Sequence, residues 1–196
     1  MNTSRRVPAI EVLGRKLVSD NTRFSIYLDH IRADGCEVID YLVVEPKVRV
    51  GGLVSGVAFL PCQSGKIGLV RLFRHPVGEE VWEMPRGFME ANEPPSFAAL
   101  RELEEETGLS CPEDCLLDIG TILPEAGVLR VRVHLYAALD CVALRPFPAE
   151  EIGHSEFRWF SRSEISDLLR HNEIEDATTI AAICKFFLLD SVAGAG

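Results

Sequence analysis

The pattern of apolar and polar positions divides the chain into short segments rich in β-forming residues around one clearly helical stretch. Turn residues separate them: Ala33-Asp34-Gly35 marks a hairpin, and Gln63-Ser64-Gly65 marks a second tight turn. Residues 1–22 are predicted to be a polar lead-in. The predicted strands cover residues 24–32, 36–45, 53–60, 66–73, 116–123, 130–140 and 157–160.

A helix is predicted over residues 94–107. Pro94 and Pro95 suit its first turn, where a missing N–H is harmless, and Gly108 suits the position just past its end. Three apolar side chains are expected to share its packed face: Phe97, Leu100 and Leu103. Two shorter helices follow, with Ser163 and Asp176 as candidate N-caps. Strands before, between and after helices predict an α+β fold, in which a mixed sheet is covered on both faces.

Three glutamates cluster on the other face of the long helix: Glu102, Glu105 and Glu106. Glu104 points away from them. The three carboxylates crowd the helix C-terminus, where the macrodipole disfavours anions, and they repel one another. A hard divalent cation, Mg²⁺ or Mn²⁺, would reverse both penalties. The alternative is an acidic face that is simply solvated.

Four further residues in and around this helix stand at fixed intervals that match a known family motif. Gly87, Glu93, Arg101 and Gly108 stand in register with the glutamates and match G-x5-E-x7-R-E-U-x-E-E-x-G-U, where U is a bulky aliphatic residue. The chain therefore resembles the Nudix hydrolases. The resemblance implies an α/β/α sandwich and a metal site for cutting diphosphates.

The resemblance also implies roles for individual residues. Glu102, Glu105 and Glu106 would bind the metal, and Arg86 would add its backbone carbonyl. Gly87 would let the backbone approach the metal closely. The paired residues that would pin the preceding loop to the helix are Arg101 and Glu93.

Features outside this motif are similar to the ADP-ribose pyrophosphatase branch: the arginine segment that ends at Arg74, the lead-in that contains Glu83, and Pro124. These three residues are the predicted substrate contacts. Arg74 would contact phosphate, or form a surface ion pair. Glu83 would contact the nucleotide end, or only hydrogen-bond within its strand. The implied reaction is cleavage of ADP-ribose to AMP and ribose 5-phosphate. GDP-mannose, UDP-glucose and dinucleoside polyphosphates are alternative substrates, and a non-catalytic ADP-ribose-binding module is an alternative of another class.

The general base is predicted in an acidic turn late in the chain. Glu150 and Glu151 are the candidates, since the branch often places this group on a late loop; a glutamate of the helix, such as Glu105, is the alternative. His154 nearby shows no ligand spacing and is predicted to be structural or solvent-facing.

Composition narrows the expected partners. The net charge is −10, from 20 basic and 30 acidic residues, and argues against a general nucleic-acid binder. No apolar run could span a membrane, and the first twenty residues lack the apolar core of a secretion signal, so a cytoplasmic protein is predicted. Six dispersed cysteines are expected to remain reduced.

Two parts are expected: residues 1–50, an added N-terminal hairpin segment, and residues 51–192, the Nudix hydrolase domain. In the branch such a segment helps to form a homodimer. Apolar positions left over on the hairpin, such as Ile39 and Leu42, would then be buried by the partner; the alternative is that they pack on their own domain.

Overall fold

The computed structural model describes residues 9–149 and 152–193. The N-terminal segment forms an antiparallel sheet of three strands in sequence order: β1 (Glu11–Asp20), β2 (Phe24–Ala33) and β3 (Cys36–Pro46). The predicted hairpin is β2–β3, with its turn at Asp34 and Gly35. The prediction of a polar lead-in over residues 1–22 is wrong for Glu11–Asp20, which pairs along β2, and residues 1–8 lie outside the described residues. An edge strand needs one partner and buries little, so its sequence shows little apolar alternation.

The central sheet is mixed and has seven strands. Its path runs β12-β5-β4-β10-β9, with β6 paired to β5 and β7 to β4. Strand β10 runs parallel to β4, and the other pairs are antiparallel. A separate two-stranded sheet joins β8 and β11. The strands are β4 (Val54–Gln63), β5 (Lys66–Arg74), β6 (Glu79–Glu83), β7 (Arg86–Phe88), β8 (Leu109–Ser110), β9 (Leu116–Ile122), β10 (Arg132–Ala138), β11 (Val142–Ala143) and β12 (His154–Ser161).

Helices cover both faces of this sheet, which confirms the predicted α+β sandwich. They are α1 (Pro95–Thr107), α2 (Arg162–Arg170) and α3 (Ala177–Ala193). One apolar cluster packs α1 against the sheet through side chains such as Phe59 and Leu103. A second cluster packs α2 and α3 against the other face, with Leu69, Ile165 and Ile183 fully buried.

Two details of the helices differ from the predictions. Phe97 is 57% exposed, whereas Ala98, Ala99 and Leu103 are fully buried. The packed face of α1 is therefore centred on two alanines, and Phe97 falls outside it. The N-cap of α2 is Ser161 rather than Ser163, because Ser161 and Glu164 form a reciprocal capping box.

The N-terminal sheet is joined to the domain along one loop, between β9 and β10. Val44 N–H donates to the Val128 carbonyl, and Arg130 N–H donates to the Val44 carbonyl, both at 2.9 Å. The Tyr41 hydroxyl donates to the Gly127 carbonyl at 2.9 Å. These bonds hold the sheet beside the loop that carries Pro124. No disulfide joins any of the six cysteines, which all lie within the described residues. No helix of that part of the chain is long and apolar enough to cross a membrane.

Candidate active site

A cleft of about 680 Å³ opens where the N-terminal sheet, the central sheet and α1 meet. It brings together most of the residues singled out in the sequence, although those that line it span about fifty positions, from Arg74 to Pro124. The predicted site residues that line it are Arg74, Arg86, Gly87, Arg101, Glu102, Glu105, Glu106 and Pro124.

The carboxylates of α1 differ in their exposure. The Glu102 side chain is 9% exposed and that of Glu106 is 19% exposed, whereas Glu105 is 51% exposed. Burial raises the pKa of Glu102, although Arg101 opposes the shift. A Cβ atom on Gly87 would lie 1.8 Å from the Glu102 carboxyl carbon. Only glycine can therefore stand at position 87 while Glu102 keeps this position.

Arg101 ties the loop to the helix and also reaches the carboxylates. Its guanidinium forms two hydrogen bonds of 2.9 Å with Glu93, through Nε and Nη2. Nη1 donates to both Glu102 and Glu105 at 2.8 Å, and Nη2 also donates to the Phe88 carbonyl at 3.2 Å. The ion pair implied by the family resemblance is thus present, and it also orients two of the three carboxylates.

Gly108 ends the helix as the sequence predicts. Its φ of 72° is left-handed, and its N–H donates to the Glu104 carbonyl. A Cβ atom there would lie 2.5 Å from the Arg145 carbonyl oxygen. The end of α1 is therefore packed closely against the segment after β11 that carries Arg145.

A second charged cluster lies in the cleft wall formed by β5, β6 and β7. Glu83 is buried and accepts two hydrogen bonds from Arg74, at 3.0 and 2.7 Å, and a further one from Arg86. Arg86 also donates to Asp176 at 3.2 Å, and Asp176 accepts from the N–H and hydroxyl of Thr179 at the start of α3. Hydrogen bonding to Glu83 raises the pKa of Arg74.

This cluster changes the interpretation of its members. Glu83 does not line the cleft; it holds two arginines whose side chains do. Arg74 forms an ion pair with the buried carboxylate of Glu83, so this is not an ion pair between two exposed side chains. Sequence reasoning proposed Arg74 and Glu83 separately and missed that they form one unit.

The N-terminal segment contributes two cleft residues that no sequence motif singles out, Arg23 and Phe24. Phe24 packs edge-on against Phe88 at 5.7 Å between ring centroids, and the Arg23 guanidinium lies 5.1 Å from the same ring. Both line the cleft. Trp82, by contrast, packs on Phe160 at 5.0 Å as a partly buried core residue.

The structure describes the acidic turn before β12 only in part. Glu150 and Glu151 lie outside the described residues. His154 follows them, and its Nε2 lies 3.2 Å from Glu106 Oε2. The prediction that His154 is merely structural or solvent-facing missed this contact, because residues 48 positions apart meet through the pairing of β12 with β5.

The donor set of the cleft fits a hard divalent cation. Glu102, Glu105 and Glu106 offer carboxylate oxygens and Arg86 offers a carbonyl, the donor types that Mg²⁺ and Mn²⁺ prefer. Across residues 9–149 and 152–193, no three His, Cys, Asp or Glu side chains converge closely enough to hold a metal by themselves.

The fold is thus an α+β sandwich in which α1 brings glutamates to a cleft that arginines also line. A family model described as NUDIX domain matches residues 52–182. The chain therefore belongs to the Nudix family and is a Nudix pyrophosphohydrolase of the ADP-ribose pyrophosphatase-like kind. Enzymes of this family generally use divalent metal ions.

Individual relatives agree with this assignment. An ADP-ribose pyrophosphatase of Mycobacterium tuberculosis is 30% identical over 175 residues, which cover 88% of this chain and 81% of the relative. A Streptomyces rubellomurinus protein named CMP-5'-(N-acetyl-N-hydroxy-3-aminopropyl)phosphonate hydrolase is 28% identical over 80% of this chain and 72% of its own length. An ADP-ribose pyrophosphatase of Bacillus subtilis is 34% identical over 61% of this chain and 64% of the relative.

A solved structure described as an ADP compounds hydrolase shares the fold. It aligns with a TM-score of 0.75 over 100% of this chain and 99% of the other. The sequences are 17% identical, so this likeness bears on the fold alone.

Proposed function

We propose that this enzyme hydrolyses the diphosphate bond of a nucleoside diphosphate sugar, with ADP-ribose as the substrate and AMP and ribose 5-phosphate as the products. One observation supports this most strongly: the α1 carboxylates and the arginines held by Glu83 line the same cleft. A diphosphate needs both, since its anionic oxygens require cations and its orientation requires fixed donors. The two relatives named ADP-ribose pyrophosphatases point to the same substrate.

The proposed cation is Mg²⁺, with Mn²⁺ as a substitute. Glu102, Glu105 and Glu106 would hold it, together with the carbonyl of Arg86. When bound, a divalent cation neutralises phosphate charge and lowers the pKa of a bound water. Arg101 supports this role because its guanidinium donates to both Glu102 and Glu105 and so orients the two carboxylates.

The chain's own groups position the substrate and handle a proton. Arg74 and Arg86 bind phosphate oxygens from the wall formed by β5 and β7, and Glu83 keeps both guanidinium groups in place. Phe88 and Phe24 offer an aromatic surface to the nucleobase. A carboxylate accepts the proton of the attacking water; Glu150 and Glu151 are the proposed bases, with Glu105 as the alternative. The new bond joins the water oxygen to phosphorus, and the bridging oxygen leaves with the other phosphate.

A substrate panel tests this function. ADP-ribose, GDP-mannose, UDP-glucose and dinucleoside polyphosphates are incubated with Mg²⁺, Mn²⁺ or a chelator, and products are separated by chromatography. A CMP-linked phosphonate is included because of the name of the streptomycete relative. We expect AMP and ribose 5-phosphate from ADP-ribose at the highest kcat/KM, and no product with chelator. Faster cleavage of another compound would refute the substrate, and activity in chelator would refute the metal dependence.

We also propose that residues 1–50 form a dimerisation element. Several apolar side chains of the N-terminal sheet face solvent, among them Ile39 at 73% and Val12 at 57% exposure. Several exposed apolar positions in one small sheet mark a contact surface more often than a single one does. Sedimentation equilibrium should give twice the chain mass of 21.7 kDa. A monomer mass at micromolar concentration would refute the proposal.

A further inference from the structure

We infer that His154 is a positioning residue for Glu106, and that it helps to set the affinity of the active site for a divalent cation. The inference rests on the proposed role of Glu106 as a cation ligand. It concerns a residue on a different element from α1, which reaches the carboxylate from the late strand β12.

The contact itself is direct and shielded from solvent. His154 Nε2 lies 3.2 Å from Glu106 Oε2, and the two side chains are 7% and 19% exposed. A carboxylate oxygen carries only lone pairs, so a ring nitrogen at this distance is favourable when it bears a proton directed at the oxygen. The ring in this place limits the orientations that are open to the Glu106 carboxylate, and a tautomer with its proton on Nε2 would make the contact attractive.

Three features hold the imidazole where it is. The Phe147 ring stacks on it, with 5.7 Å between centroids and an interplanar angle of 10°. His154 is paired with Leu72 in the central sheet, and the Phe73 N–H donates to the Gly153 carbonyl at 2.8 Å. Gly153 itself has a φ of 93°, and a Cβ atom there would lie 2.9 Å from the Phe73 carbonyl oxygen.

We expect His154 to affect Glu106 alone among the three carboxylates, because Glu102 and Glu105 are oriented by Arg101 instead. Arg101 donates to Glu102 and Glu105, whereas the contact from His154 reaches Glu106. Each carboxylate of α1 thus has a fixed group beside it, from two different parts of the chain. Groups that orient a metal ligand typically contribute about 10- to 100-fold to metal affinity.

The chain contains a matched control. His134 Nε2 lies 2.9 Å from Asp118 Oδ2, and its ring stacks on Tyr136 at 4.5 Å and 11°. This pair repeats the arrangement of a stacked imidazole beside a carboxylate, but its members do not line the cleft. His154→Phe and His134→Phe therefore make the same chemical change inside and outside the site.

The experiment measures Mn²⁺ binding by electron paramagnetic resonance on the full-length chain without nucleotide. We expect His154→Phe to weaken Mn²⁺ binding by about 10-fold and His134→Phe to leave it unchanged. His154→Gln, which keeps an N–H, should bind Mn²⁺ more tightly than His154→Phe. In a Glu106→Gln background, His154→Phe should cause no further loss, because the two residues act as one unit. Thermal unfolding checks each variant, and His154→Leu replaces His154→Phe should the latter not fold.

Kinetics add a readout that a purely structural role would not move. In His154→Phe, the Mg²⁺ concentration for half-maximal rate should rise by the same factor as the Mn²⁺ dissociation constant. The kcat for ADP-ribose should fall, while its KM changes by a smaller factor. Unchanged Mn²⁺ binding in His154→Phe, or an equal loss in His134→Phe, would overturn the inference. A wild-type chain that binds Mn²⁺ but does not cleave ADP-ribose would refute the substrate and leave the His154 comparison valid.

Discussion

Two charged clusters beside the cleft use the same residue types for different purposes. On β5–β7, Arg74 and Arg86 enclose the buried carboxylate of Glu83, so positive charge faces the cleft. On α1, the single guanidinium of Arg101 is shared among Glu93, Glu102 and Glu105, so negative charge is in excess. The first cluster is complete and holds its arginines in place, whereas the second has carboxylate capacity left for a cation.

The contrast predicts that substitutions in the two clusters will affect different kinetic constants. A change in the α1 cluster should reduce kcat, because cation-dependent stabilisation acts most strongly in the transition state. A change in the Glu83 cluster should raise KM and lower stability, because it releases groups that bind the substrate's ground state as well.

The largest effect is expected for Glu106→Gln. Loss of one cation-binding charge should lower kcat by about 10³-fold, while the thermal midpoint changes little, because Glu106 carries no structural ion pair to Arg101. Glu104→Gln is the control on the same helix, since Glu104 is exposed and does not line the cleft. Steady-state hydrolysis of ADP-ribose measures both. Equal activity in the two variants would contradict the proposal that only the cleft-facing glutamates of α1 bind the cation.

A smaller loss is expected for Gly87→Ala. The added Cβ would meet the Glu102 carboxyl group at 1.8 Å, so the carboxylate must move, and a displacement of this order can cost about 10²-fold in rate. Gly51→Ala is the control, because no atom lies within 4 Å of its Cβ position. The same kcat assay applies. Full activity in Gly87→Ala would show that the placement of Glu102 is not critical.

The Glu83 cluster should respond least in kcat. Glu83→Gln removes the charge that Arg74 and Arg86 share, and we expect KM to rise about 10-fold and unfolding free energy to fall by about 1–3 kcal/mol. Glu80→Gln on the same strand removes an exposed pair with Arg71, at 3.2 Å, and should change stability by less than about 1 kcal/mol. Urea unfolding and steady-state kinetics measure these effects. If Glu83→Gln lost as much kcat as Glu106→Gln, the proposal that the two clusters have different roles would be wrong.

Local signals in the sequence were sufficient for α1 and its carboxylates. Proline at the start, Gly108 at the end and the spacing of Glu102, Glu105 and Glu106 are all contained within residues 94–108, so the helix and its acidic face could be predicted. Phe97 was misplaced because the packed face is set by how closely Ala98 and Ala99 let the helix approach the sheet. That approach is a tertiary property which periodicity alone does not encode.

Residues that meet only after folding were the ones missed. Phe24 reaches Phe88 from the N-terminal sheet, and His154 reaches Glu106 through the pairing of β12 with β5. Arg74 and Glu83 were both chosen, but their pairing across β5 and β6 was not foreseen. No short-range pattern links these positions, so their roles follow from the topology of the central sheet rather than from any motif.

Calorimetric titration with Mn²⁺, in the presence of a non-hydrolysable ADP-ribose analogue, tests the central claim most directly. The account predicts that wild-type protein takes up the cation and that Glu106→Gln binds it at least about 10-fold more weakly. Absence of cation uptake by the wild type, or identical binding by Glu106→Gln, would contradict the claim that the α1 carboxylates bind a metal for the substrate's phosphates.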